Sequence, residues 1–193
     1  MNIIKIITFL SILLFSNQVF AKNSLKNIVI IGTGGTISGA GESETGAKYS
    51  SLKIDINQIV QTVPNILDVA NITAEQLFQE ASQNFNNELL IKLANRVNEL
   101  LAQRSIDGVV ITHGTDTMEE TAYFLNLVIN SKKPIILVGS MRPSTALSAD
   151  GPLNLYNAVA LASDDESPGK GVLILMNDKI FSARDARKAH TPN

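Results

Sequence analysis

Short apolar runs recur down this chain, most of them followed by a polar cluster and then by a stretch of helical periodicity. That alternation restricts the fold more than any other feature. The runs lie at residues 26–31, 108–112, 135–139 and 171–176. Each is short and rich in β-branched residues, the pattern of strands buried on both faces. Between the first two, residues 87–104 carry Leu90, Leu93, Val97, Leu100 and Leu101 at helical spacing. After Thr112, the Thr117 and Glu120 pair has the spacing of a capping box. Phe124, Leu127 and Val128 are the expected buried stripe of the helix that follows, and Lys132-Lys133-Pro134 closes it. Residues 140–151 read as a polar loop, Pro152 as the first residue of a helix reaching about Ala162, and residues 164–170 as a solvated turn.

Nearer the N-terminus, residues 32–50 form a long glycine-rich polar loop, and residues 54–63 predict a short helix ended by Pro64. Residues 66–72 read as extended. Thr73 to Gln76 has a second capping-box spacing, which predicts a turn or short helix, and residues 81–84 are a polar loop. Strand and helix alternating from end to end predict an α/β fold, a mainly parallel sheet with helices on both faces.

The 193 residues suit about one domain. A net charge of -2 gives no argument for nucleic acid. Zero cysteines exclude disulfides, a thiol nucleophile and a cysteine metal site, and two histidines, His113 and His190, argue against a histidine metal centre. Residues 1–21 are of a different kind. Lys5 sits in a run over residues 3–15 of Ile, Leu and Phe, and Val19-Phe20-Ala21 stands where a signal peptidase reads. This is a secretory signal pattern, with an apolar core shorter than a membrane span. The expected domains are a signal peptide over 1–21 and a mature chain over 22–193, placed in the periplasm or secreted, with no stable membrane association after cleavage.

In open α/β sheets ligands sit outside the carboxyl ends of the strands. Two such ends carry hydroxyls here: Gly32-Thr33-Gly34-Gly35-Thr36 and Thr112-His113-Gly114-Thr115-Asp116-Thr117. The first is not a dinucleotide fingerprint, because the third glycine is replaced by Ile37, and no Gly-Lys pair completes a phosphate loop. Thr36 is a turn former or a nucleophile, and as a nucleophile it needs a neighbour to take its proton, such as Tyr49 or a lysine. Asp116 is a helix cap or a carboxylate for a substrate ammonium or a catalytic lysine. His113 has no assigned role, and Ser82 and Gln83 alone read as loop residues.

Taken together, TGGTIS (residues 33–38), ITHGTDTMEETAYFL (111–125) and VGSMRPSTALSADGPLNLYNAV (138–159) resemble the bacterial-type L-asparaginases and glutaminase-asparaginases, in particular their exported type II branch. The resemblance runs from about Asn27 to Lys188. It implies hydrolysis of a side-chain amide, giving L-aspartate and ammonia from L-asparagine, with L-glutamine as the related substrate, and no cofactor. It assigns Thr36 as nucleophile on a mobile loop and Tyr49 as the residue that positions and activates its hydroxyl. Thr115, Asp116 and Lys188 correspond to a second catalytic triad, and Ser82, Gln83, Thr115 and Asp116 to the substrate-binding set, in which Ser82, Gln83 and Asp116 hold the substrate's α-carboxylate and α-amino groups. Arg187 and Ala189 flank Lys188 where the family commonly has threonines. The family continues into a second α/β domain and forms homotetramers whose sites are completed by a neighbouring subunit. The sequence in hand is therefore expected to be the N-terminal domain, with a catalytically incomplete chain as the alternative.

Overall fold

The computed structural model describes residues 24–41, 49–50 and 54–189. The expected signal peptide lies outside them, as do residues 42–48 of the glycine-rich loop. The strands are β1 (Lys26–Gly34), β2 (Ala40–Gly41), β3 (Tyr49–Ser50), β4 (Ala70–Glu80), β5 (Gly108–Thr112), β6 (Ile135–Val138), β7 (Val172–Met176) and β8 (Lys179–Ser182). Six of them form one sheet in the order β4-β1-β5-β6-β7-β8, while β2 and β3 pair as a small antiparallel ribbon. All neighbours in the large sheet are parallel except β7 and β8. The helices are α1 (Ile56–Gln61), α2 (Asn87–Leu101), α3 (Met118–Val128) and α4 (Gly151–Ser163).

Side chains alternate across a strand, so each buried strand serves two cores. Ile28, Ile30, Val110, Ile136, Val138, Leu173 and Leu175 face α1 and α4, where they meet Ile56, Ile59, Leu155, Ala158 and Val159. Val29, Ile31, Val109, Ile111, Ile135, Leu137 and Ile174 face α2 and α3, meeting Leu93, Val97, Met118, Ala122 and Leu125. Each fully buried Leu or Ile contributes about 1.5–3 kcal/mol relative to exposure. The α/β expectation holds, with helices on both faces.

Several local expectations are corrected. Thr73 to Gln76 is neither turn nor helix. It lies inside β4 and pairs with β1, Val29 opposite Thr73 and Gly32 opposite Gln76, because the inner strand β1 offers it a full ladder. The predicted helix over 54–63 shortens to α1, with Asp55 as its cap: its carboxylate accepts from the Asn57 N–H at 2.8 Å, and Gln58 completes the box. The buried stripe of α3 is Met118, Thr121, Ala122 and Leu125, whereas Leu127 and Val128 are exposed and Phe124 only partly buried. Both stripes have helical spacing; the smaller side chains let the helix lie close on the sheet. Thr117 makes no capping bond, since its hydroxyl donates instead to the Ser82 carbonyl at 2.8 Å. Strand β8 was not anticipated. It folds back on β7 through Asn177 and Asp178, whose φ values of 50° and 58° suit a two-residue hairpin turn.

Candidate active site

Three neighbouring parallel strands, β4, β1 and β5, end on the same edge of the sheet. The chain leaves β1 through Gly34 and Gly35, with φ of +111° and +83°. At Gly35, ψ is -176°, a combination that only glycine adopts without strain. A Cβ at Gly35 would lie 2.4 Å from the Cα and N of Gly114, so the turns after β1 and β5 touch backbone to backbone. A Cβ at Gly114 would in turn lie 2.5 Å from the Ser82 hydroxyl. Glycines are thus required for the three strand ends to close on one another. Thr33 adds a tie, its hydroxyl donating to the Thr112 carbonyl at 2.7 Å.

The residues just beyond these ends enclose a cavity of about 180 Å³. Thr36 follows β1, Ser82 and Gln83 follow β4, and Thr115 and Asp116 follow β5; all five line it. Thr36 is half-buried on a 3-10 turn, Thr36–Ser38, whereas Gln83 and Asp116 are exposed. Ser82 is buried, and its Oγ accepts from the Asp116 N–H at 3.2 Å. Lys188 reaches Thr115 and Asp116 from the far end of the chain. Its Nζ donates to Thr115 Oγ1 at 2.9 Å and to Asp116 Oδ1 at 2.6 Å. Because Asp116 is more than half exposed, this ion pair adds little stability; its effect is to orient the ammonium.

The structure therefore brings Thr36, Ser82, Gln83, Thr115, Asp116 and Lys188 into one neighbourhood. The Tyr49 backbone lies on β3, and its side chain lies outside what is described. His113 does not line the cavity. It is wholly buried against the Phe85 ring, 4.5 Å away between centroids. Burial pushes its pKa down to about 4, so at neutral pH it is uncharged. With Nδ1 as the protonated nitrogen it donates to the Gly114 carbonyl at 2.7 Å, while Nε2 has no partner among the described residues. A larger cavity of about 380 Å³ lies alongside and shares only Thr115 with the first. Its walls include Met118, Met141, Met176 and Phe181 together with Glu119 and Lys188, so it is the more apolar of the two although Lys188 borders it. One residue was missed in the sequence: Glu119 accepts a hydrogen bond from the backbone N–H of Lys188. Nothing in its spacing marks it, since the contact joins positions 69 residues apart.

Among the described residues no cluster of three or more His, Asp or Glu side chains is arranged to hold a metal, and no helix is long and apolar enough to cross a membrane. The chemistry available is that of two hydroxyls at one cavity, a lysine hydrogen-bonded to one of them, and a carboxylate at the rim.

Comparison with known proteins bears on the fold and the family. A glutaminase-asparaginase of Acinetobacter glutaminasificans is 60% identical over 163 residues, 84% of this chain and 49% of that protein. A protein of Haemophilus influenzae named probable L-asparaginase periplasmic is 50% identical over 167 residues, 86% of this chain and 47% of that one. The crystal structure of the probable cytoplasmic L-asparaginase from Campylobacter jejuni superposes with a TM-score of 0.85 at 54% identity, covering 87% of this chain and 51% of that chain. The chain thus spans about half the length of the curated relatives it matches. Residues 27–193 match the family described as Asparaginase, N-terminal, and the chain belongs to that family.

Proposed function

We propose that this chain supplies the nucleophilic half of an amidohydrolase that converts L-asparagine, and with it L-glutamine, to the corresponding acidic amino acid and ammonia. The observation that carries the reading is the Lys188 ammonium. It lies 2.9 Å from Thr115 Oγ1 and 2.6 Å from Asp116 Oδ1, while Thr115 and Thr36 line one cavity. In this reading Thr36 Oγ attacks the amide carbon, and backbone N–H groups at the glycine turn or the helix start receive the developing oxyanion. The C–N bond breaks as the nitrogen gains a proton, ammonia leaves, and an ester to Thr36 remains. Water then adds to that ester with Thr115 and Lys188 managing its proton. The C–O bond to Thr36 breaks, the hydroxyl regains its hydrogen and the acid departs. Asp116 holds the substrate ammonium, Ser82 and Gln83 hold its α-carboxylate and α-amino groups, and Tyr49 positions and activates the Thr36 hydroxyl.

The signal-like residues 1–21 support export, as does the periplasmic name of one relative, so the site of action in this reading is the periplasm or the medium. The test is ammonia release from L-asparagine and from L-glutamine by the purified chain, alongside Thr36→Ala and Thr115→Val. Loss of about 10³-fold or more in either variant is expected of residues that act as a unit. Undiminished release from Thr36→Ala would remove it as nucleophile.

A further inference from the structure

The lysine of the site arrives on chain without regular structure. After β8 ends at Ser182, the N–H groups of Asp185 and Ala186 both donate to the Ser182 carbonyl, at 3.1 and 3.0 Å. The chain then runs to Ala189 as neither helix nor strand. A lysine side chain has four rotatable carbons, so on such a segment its ammonium reaches one place only if its backbone is fixed. The backbone is held from one side. The Lys188 N–H donates to the Glu119 carboxylate, and the Lys188 ammonium donates to Thr115 and Asp116. The three hydrogen bonds described for this lysine all end within residues 115–119.

That stretch is itself rigid. Thr115 and Asp116 lead directly into α3, whose Met118, Ala122 and Leu125 are locked in the core. Glu119 is in the first turn of that helix, is partly buried, and lines the larger cavity beside Lys188 and Thr115. A charge-assisted bond from a carboxylate to a backbone N–H is roughly twice as strong as a neutral one.

We propose that Glu119 is a positioning residue, a tie that fixes the backbone of Lys188 against the start of α3 so that its ammonium stays on Thr115 and Asp116. The tie is a matter of structure; its catalytic consequence rests on the amidohydrolase reading. The competing explanation is that Glu119 merely favours the helix N-terminus by its charge. The two separate in Glu119→Gln, which loses the charge but keeps an oxygen for the Lys188 N–H.

The experiment compares the wild-type chain, Glu119→Ala, Glu119→Gln and, as a control on the same helix turn, Glu120→Ala. Amide hydrogen exchange is read over residues 183–189, and kcat and KM are measured for L-asparagine. Circular dichroism confirms that each variant is folded. Exchange over 183–189 is expected to rise about tenfold in Glu119→Ala, and to stay within about threefold of wild type in Glu119→Gln and Glu120→Ala. The Ala variant should lose about tenfold or more in kcat with KM nearly unchanged, because Glu119 does not line the smaller cavity; Gln should restore most of it. Unchanged exchange in Glu119→Ala overturns the tie, and Gln behaving like Ala assigns the effect to charge. Faster exchange at wild-type kcat overturns the positioning role. The expected exchange pattern in a chain that releases no ammonia upholds the tie and selects the catalytically incomplete alternative over turnover by this chain.

Discussion

Replacing Gly35 by alanine tests whether the contact between the β1 and β5 turns builds the site. The new methyl would sit 2.4 Å from Gly114 Cα and N and 2.8 Å from the His113 carbonyl carbon, where ordinary contact begins at 3.4 Å. The two turns must therefore separate by about 1 Å, the difference between 3.4 and 2.4 Å. Gly114 has little room to shift, because Ser82 also crowds it, the Ser82 hydroxyl lying 2.5 Å from where a Gly114 Cβ would stand. Backbone strain at φ +83° and ψ -176° adds about 1–3 kcal/mol, and overpacking a further 1–3 kcal/mol or so. The sum, about 2–6 kcal/mol, is a large part of the roughly 5–15 kcal/mol that holds a domain folded. Even where the variant folds, a displacement of about 1 Å between Thr36 and Thr115 is of the size that costs roughly 10²-fold in rate. Urea melts give the first number and ammonia release the second. Gly169→Ala is the control: its φ is +81° but nothing lies within 4 Å of the added methyl, so only strain of about 1–2 kcal/mol is expected, with the rate unchanged. Gly35→Ala with wild-type stability and rate would refute the claim that this backbone contact sets the site.

Other outcomes follow from the same geometry. Ser82→Ala removes the acceptor for the Asp116 N–H and should cost about 1 kcal/mol in a urea melt and raise KM for L-asparagine; unchanged KM would leave Ser82 only its structural bond. His113 supplies an acid-sensitive component of stability. Its folded pKa of about 4 lies below the ordinary 6.5, so the unfolded chain binds the proton more readily. That component is fully present above pH 6.5 and is lost as the pH falls towards 4, amounting to about 3 kcal/mol at most. Denaturant midpoints across this range should show it in the wild type and not in His113→Asn; identical pH profiles would contradict it. Arg96 holds Glu75 through two bonds of 2.7 Å, joining α2 to β4, and Arg96→Ala should lower stability by about 1 kcal/mol in the same assay, against no change if the pair is idle.

The strands β1, β5, β6 and β7 were legible because each is an apolar run too short for a helix, and α2 because its leucines repeat on one face. The site was legible where polar residues stand directly after a strand, as at Thr36 and Thr115. Elsewhere local signals pointed the wrong way. Thr73 to Gln76 carries a helix-start pattern, yet pairing with β1 outweighs that weak preference. Thr117 carries a capping pattern, but its hydroxyl is taken by the Ser82 carbonyl across the site. Periodicity could not choose between two stripes on α3, since both repeat every three or four residues. Strand β8 is only Lys179–Ser182 and mostly exposed, so it has no apolar run to betray it; the Asn177-Asp178 turn was the available signal. Ser82, Gln83 and Glu119 have no local mark of function. Ser82 and Glu119 make their contacts with residues 34 and 69 positions away, and Gln83 reaches the cavity only through the folded sheet.

The central claim is that the cavity at the ends of β4, β1 and β5 is where the amino acid binds. The most direct measurement is a crystal structure of the chain with L-aspartate, the product. The account predicts the ligand in the cavity of about 180 Å³, its ammonium on Asp116 and its side-chain carboxylate between the Thr36 and Thr115 hydroxyls. L-Aspartate seated instead in the larger neighbouring cavity, or in the first one with its side chain directed away from both threonines, would contradict it.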